Sequence, residues 1–196
     1  MGFKRVIGID EVGRGCWAGP LVLAAAQLDL RHYDETQHIQ NVRDSKKLSS
    51  KTRREIVLFA ETTRIQVAYA NAAAELITEI GLKASIEKAL ANLVSEMEVD
   101  EKTYLLLDRS LKLPKTLAAE SAEITKGDDK IYSIALASIH AKEKRDEYMR
   151  SIHPRFPVYG FDKNVGYGTV QHRNAIELHG VSPEHRLSFR PLQKYR

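Results

Sequence analysis

The stretch VIGIDEVGRG, residues 6–15, decides the reading of this chain. A short apolar, partly β-branched run leads into a glycine-rich turn, and two adjacent carboxylates, Asp10 and Glu11, stand at the junction. Such a run bounded by glycines reads as a buried strand, here over residues 4–9 and ending at Asp10. Neighbouring residues of an ideal strand point to opposite faces. Either the glycines bend the chain and redirect one acid, or Asp10 is a direct metal ligand while Glu11 orients water at one remove.

Working outward, LVLAAAQL at 21–28 reads as a second strand, close enough to the first to form a hairpin across the glycine turn, with a helix as its competitor because of its alanines. Ser49 or Ser50 is placed to cap the helix that follows, and IQVAYA at 65–70 resembles another strand, after which Asn71 is a candidate cap. Gly81 interrupts a long helical region whose stripe of Ile86, Leu90, Leu93, Val94 and Met97 suits a core. TYLLLD at 103–108 is a second buried-strand signal that also ends in an aspartate. A short strand near 121–125, a helix over 130–150, a Pro/Gly-rich aromatic loop over 154–168 and a helix from about 169 to 179 complete the chain. Strands alternating with helices favour an α/β fold.

Asp10, Glu11 and Asp108 each end or just follow an apolar run, where strand ends bring distant positions together. Clustered carboxylates repel one another and resist desolvation, and a divalent cation resolves both conflicts. Oxygen-only ligands, with no Cys/His spacing nearby, favour Mg²⁺ or Mn²⁺ over zinc. A fourth acid is needed if two ions are to sit about 3.5–4 Å apart for in-line phosphoryl chemistry. Asp128 and Asp129 in KGDD are the candidates, and spacing does not choose between them; both also suit a helix start.

VGRGCWAG lacks the GKS or GKT ending of a phosphate-binding Walker loop and the spacing of GxGxxG. Gly13 and Gly15 are instead suited to let backbone approach a nucleotide, with Arg14 between them. In DSKKLSSKTRR, residues 44–54, Lys46 and Lys47 are candidate phosphate contacts, against the alternative of a solvated turn. Tyr167 lies between Gly166 and Gly168, where its ring is placed to stack on sugar or base or, alternatively, to anchor the loop; Trp17, Tyr159 and Phe161 read as packing groups.

The 196 residues suffice for one substantial core, and 43% hydrophobic with 29% charged residues is not a disordered composition. Residues 1–125 hold 17 Lys/Arg and 18 Asp/Glu, whereas residues 126–196 hold 13 against 8, so the later part is expected to face a polyanion. A single cysteine, Cys16, excludes an internal disulfide and fits a reducing compartment. No run approaches the ~20 apolar residues of a membrane span, and no signal peptide is read, so a cytoplasmic location and no membrane partner are expected. No oligomerisation seam is evident, and a monomer is the expectation.

The combination IDEVGRG (9–15), AGP (18–20), DSKKLS (44–49), LLLD (105–108), KGD (126–128), ASIHAKEKRD (137–146), YGFDKNVGYGT (159–169) and SPEHRLSF (182–189) resembles bacterial ribonuclease HII over nearly the whole chain. The resemblance implies a ribonuclease H-like mixed sheet flanked by helices, with a catalytic core over 1–151 and a C-terminal substrate-binding helical extension over 152–196. It implies Asp10, Glu11, Asp108 and Asp128 as catalytic and metal-binding acids, choosing Asp128 over Asp129, with two Mg²⁺ or Mn²⁺ ions in the catalytic complex. Gly13, Arg14 and Gly15 become the loop that senses the ribose 2′-hydroxyl and neighbouring phosphates, Tyr167 the aromatic at the RNA-to-DNA junction, and Lys46 and Lys47 backbone contacts. The implied reaction is endonucleolytic hydrolysis 5′ to a ribonucleotide, in RNA/DNA hybrids or duplex DNA with embedded ribonucleotides, leaving 3′-hydroxyl and 5′-phosphate ends.

The chain departs from the family pattern at four places. Cys16-Trp17 replaces Pro and a smaller apolar residue, Arg109 replaces a glycine, His140 an apolar residue and Gly81 an asparagine. The alternative functions are another ribonuclease H-like nuclease of generic hybrids and a catalytically weak hybrid-binding protein on the same scaffold.

Overall fold

The computed structural model describes residues 2–32, 42, 45 and 48–196. Five strands, β1 (Arg5–Val12), β2 (Leu21–Asp29), β3 (Gln66–Ala72), β4 (Thr103–Asp108) and β5 (Ser121–Ile124), form one mixed sheet in the order β3-β2-β1-β4-β5. β1 and β2 are the expected antiparallel hairpin, β3 continues it antiparallel, and β4 and β5 extend it parallel on the other side. The helices are α1 (Ser50–Ala60), α2 (Ala74–Glu96), α3 (Gly127–Lys130), α4 (Tyr132–Ile152), α5 (Phe161–Asn164) and α6 (Val170–His179).

Strand alternation sorts the core into two layers. Ile7, Ile9, Leu21, Leu23, Leu105 and Leu107 pack on one face against Ile77, Ile86, Leu90 and Leu93 of α2. Val22, Ala24, Ala26 and Leu28 face the other way, onto Leu136, Ala137 and Ile139 of α4 and Ile56 and Ala60 of α1. The run of alanines that competed for a helical reading of β2 is what lets α4 lie close to the sheet. At Gly8 the approach is closest: a Cβ there would stand 2.2 Å from the backbone of Ser133. Gly8 is thus the residue over which the start of α4 is seated.

Three expectations are corrected. β1 does not end at Asp10 but runs on to Val12, because β2 continues to pair with it through Glu11 and Val12. Asn71 is inside β3, held by its register with Val22, and the residue before α2 is Ala73, with no side-chain cap. The segment 154–168 is not wholly loop: it takes in the end of one short 3₁₀ turn that starts at His153, a second 3₁₀ turn and α5, stabilised by burial of Tyr159 and Phe161. Ser49 caps α1 as expected, its hydroxyl accepting from the Thr52 N–H at 3.1 Å. Gly81 kinks α2, with φ 81° and ψ 162°.

Beyond α4 the chain folds back beneath the glycine turn. Met149 and Ile152 of α4, Tyr159, Phe161, Ala175, Ile176 and Leu192 enclose Ala18 of that turn in a third cluster. The residues after 152 therefore share a core with the turn that follows Asp10 and Glu11.

Candidate active site

A cavity of about 510 Å³ opens where β1 and β4 end, and Asp10, Glu11, Asp108 and Asp128 all line it. The parallel register pairs Ile9 with Leu107, so Asp10 and Asp108 stand one step further along on neighbouring strands. Both belong to the parity that faces α4, while Glu11 belongs to the opposite one. No bend redirects either acid of the pair; the strand end is open enough that both faces reach the same cavity.

Each acid has a different environment. Asp10 is 7% exposed, accepts from the Glu11 N–H at 2.8 Å and from the Ser138 hydroxyl, and makes no ion pair among the described residues. Burial first, then the charge of Glu11, pushes its pKa up to about 8, so without a cation it holds a proton at neutral pH. Glu11 is also raised by burial, opposed by Ser110 and Arg14. The Ser110 hydroxyl lies 2.7 Å from Glu11 Oε2 and 3.1 Å from Asp108 Oδ2, bridging the two carboxylates with a single proton. Asp108 Oδ1 accepts from the Gly127 N–H at 3.0 Å, which ties β4 to the KGDD turn. In that turn Asp128 lines the cavity while Asp129 is exposed. Among the described residues no three of these acids close into a ready-made cage. Glu11 and Asp108 share the Ser110 proton instead, while Asp10 still feels the charge of both.

The glycine turn is anchored from below by two arginines that the sequence did not single out. Arg145, fully buried on α4, donates to the carbonyls of Pro20 (2.9 Å), Ala18 (3.0 Å) and Val165 (2.8 Å). Arg186, also fully buried, donates to Gly19 (2.9 Å) and Gly13 (2.7 Å). Gly13 has φ +97°, and a Cβ there would lie 2.2 Å from Arg145 Nε, so both the backbone conformation and the guanidinium require glycine. Arg14 points the other way, with its Nη1 3.4 Å from Glu11 Oε1 and donating to the Ser110 carbonyl at 2.8 Å.

Tyr167 lines the cavity at 44% exposure, and its hydroxyl meets the buried Cys16 thiol. A histidine chain holds its backbone. The Ser182 N–H, an obligatory donor, is 2.9 Å from His185 Nδ1, which must therefore accept. His185 Nε2 then carries the hydrogen and donates to His172 Nε2 at 3.0 Å, leaving His172 Nδ1 to donate to the Tyr167 carbonyl at 2.9 Å. Burial keeps both rings neutral, lowering the His172 pKa and pushing that of His185 down to about 4.

Of the departures, Cys16 reaches the cavity through the contact of its thiol with the Tyr167 hydroxyl. Trp17 packs over Gly168, Arg109 is exposed and turned toward Thr125, and His140 is buried with its Nδ1 2.7 Å from the Tyr69 hydroxyl. Lys46 and Lys47 lie outside the described residues.

A protein-family model described as Ribonuclease HII matches residues 7–192. The chain belongs to the ribonuclease HII family. It is an endonuclease for RNA in RNA/DNA hybrids. Among curated relatives, the Ribonuclease HII of Staphylococcus epidermidis is 41% identical over 191 residues, spanning 96% of this chain and 70% of that protein. The solved ribonuclease H2 of Pyrococcus horikoshii OT3 superposes with a TM-score of 0.79 at 21% identity, covering 97% of this chain and 96% of the other. A Bst-RNase HIII structure in complex with Mn²⁺ gives 0.69 at 21% identity, over 99% and 70%. At those identities the two structures speak for the ribonuclease H-like fold alone. No helix among the described residues is long and apolar enough to cross a membrane.

Proposed function

We propose that this chain cuts the phosphodiester on the 5′ side of a ribonucleotide, in RNA/DNA hybrids and in duplex DNA with embedded ribonucleotides, leaving 3′-hydroxyl and 5′-phosphate ends. Asp10, Glu11, Asp108 and Asp128 are the catalytic acids, and they would hold two Mg²⁺ or Mn²⁺ ions in the catalytic complex. The supporting observation is the cavity itself, in which acids from β1, β4 and α3 share one space with Gly13, Arg14, Gly15 and Tyr167.

The donor set fits hard divalent cations. Every candidate ligand is a carboxylate oxygen, and Asp10 is buried with no cation against it, a desolvation cost that a bound ion would relieve. Bound there, such ions supply positive charge against the scissile phosphate and the leaving oxygen, and lower the pKa of water. The chain's own residues set the geometry: Ser110 spaces Glu11 from Asp108, and the Gly127 N–H orients Asp108. Gly15 has only Tyr167 Cε1, at 4.0 Å, near the place of a Cβ, so backbone there is open to a ribose 2′-hydroxyl, the group that distinguishes RNA from DNA. The half-exposed Tyr167 ring offers a stacking face for the sugar or base at the junction. Residues 152–196 act as the substrate-binding extension to the 1–151 core because they carry and brace Tyr167. Lys46 and Lys47 contribute backbone contacts.

Product mapping on otherwise identical duplexes with zero, one and several ribonucleotides tests the reading. Metal-dependent nicking 5′ to a lone ribonucleotide, abolished by chelation, is expected. Cutting confined to continuous hybrids, or on the 3′ side, would overturn it.

A further inference from the structure

Positive charge is scarce in the catalytic cavity. Arg14 stands against Glu11, Lys142 donates to Asp146 at 2.6 Å, and Arg53 is paired with Asp146 and Glu143. All the described cations lining it are thus engaged by carboxylates. Phosphates on either side of a bond held there need counter-charges from elsewhere.

A second cavity, of about 480 Å³, adjoins the first through a shared wall, since Arg14 and Ser110 line both. Its other side is built by the segment after β4, with Lys112, Leu113, Pro114 and Lys115, and by α2 just beyond the Gly81 kink, with Lys83, Ile86 and Glu87. Lys112 and Lys115 are exposed and make no ion pair among the described residues. Lys83 reaches only Glu87, at 3.9 Å on an exposed helix surface, a pair that solvent weakens to little. The groove therefore offers three available ammonium groups against one carboxylate, above a partly apolar floor. That chemistry suits a sugar–phosphate backbone, whose charge is periodic and whose sugars are partly apolar.

We propose that this groove is a second nucleic-acid contact, carrying a strand of the duplex away from the catalytic cavity on the side of the β4–β5 connection, with Lys112 and Lys115 as phosphate contacts. It extends the polyanion surface beyond residues 126–196, where sequence charge alone had located it. The inference rests on the active-site assignment above, but the two fail separately.

The test measures anisotropy of a fluorescein-labelled DNA duplex containing one ribonucleotide, across a salt series in the presence of Ca²⁺, with Lys112→Ala/Lys115→Ala against the parent. A Kd about 10-fold weaker and a log–log salt slope shallower by about 2 are expected, one counterion for each lost phosphate contact. In Mg²⁺ turnover assays KM rises by a similar factor while kcat changes far less. Lys112→Arg/Lys115→Arg restores both, which separates charge from folding. Lys4→Ala/Lys102→Ala removes the same charge at the opposite end of β1 and β4, both sites being exposed there, and leaves the slope unaltered. Parent-like Kd and slope in Lys112→Ala/Lys115→Ala, or an equal loss in the Lys4/Lys102 control, would overturn the groove. Failure of the active-site assignment shows instead as turnover surviving in Asp10→Asn.

Discussion

At the end of the sheet, Asp10 is buried among other acids without a counter-charge, whereas the carbonyls of the glycine turn beside it are met by two buried guanidinium groups. The two regions touch and yet satisfy their polar groups in opposite ways. Among the described residues Asp10 has no cation beside it, and its burial followed by the charge of Glu11 raises its pKa and makes the region destabilising by itself. The turn and the extension are braced by charge-assisted hydrogen bonds that fix a conformation. The glycine turn is thus held jointly by Arg145 of α4 and Arg186 of the C-terminal residues, whereas Asp10 at the strand end has no such partner among the described residues.

The sharpest way to break this contrast is Asp10→Asn. Turnover on a single-ribonucleotide duplex should fall by roughly 10³-fold, with duplex Kd nearly unchanged; near-parental metal-dependent turnover by the folded variant would sink the catalytic assignment. On the bracing side, Arg145→Met leaves three buried carbonyls without their donor. We expect a loss of about 3–5 kcal/mol, read as a Tm lower by roughly 10 °C; a loss below about 1 kcal/mol would mean that the guanidinium is not the brace.

Asp10→Asn should also stabilise the metal-free protein. A folded pKa raised from 3.8 to about 8 means that the folded state keeps a proton the unfolded chain has lost, so the parent loses stability as pH rises through that window. With chelator present at pH 8.5, the asparagine variant should gain on the order of 5 kcal/mol in urea unfolding, and less at pH 5. No gain at either pH would show that Asp10 is not strained.

His185 tests the opposite sign. Its folded pKa is lowered from 6.5 to about 4, so the unfolded chain binds the extra proton and the parent weakens as pH falls from 6.5 toward 4. One such histidine contributes about 1.4 kcal/mol per pH unit across that window. His185→Gln should remove a slope of that size from unfolding free energies measured between these pH values, leaving the contributions of His140 and His172, which burial also depresses. An unaltered slope would break the proposed histidine chain. Smallest in energy, Tyr167→Ala should alter the ratio of cutting at a single ribonucleotide to cutting of a continuous hybrid; an unchanged ratio would reduce Tyr167 to a packing residue.

Much of this was legible along the chain. The apolar runs before Asp10 and Asp108 located β1 and β4, the hairpin followed from the glycine turn, and the stripe from Ile86 to Met97 marked the second half of α2. The errors came where pairing partners overrode local signals: β2 drew β1 on to Val12 and held Asn71 in β3 through its pairing with Val22. Ser110 sits in an unremarkable turn and Arg145 on a helix rich in charge, so neither announced its contact.

By itself the sequence determined the α/β class, the acids at the strand ends and the glycine loop beside them, because apolar periodicity and turn chemistry are local properties. Tertiary structure alone decided that Asp10 and Glu11 reach one cavity from opposite faces, that Arg145 and Arg186 brace the glycine loop from beneath, and that two histidines hold the backbone of Tyr167. Those facts depend on strand register and on which side chains lose water, and neither is written in any single stretch of residues.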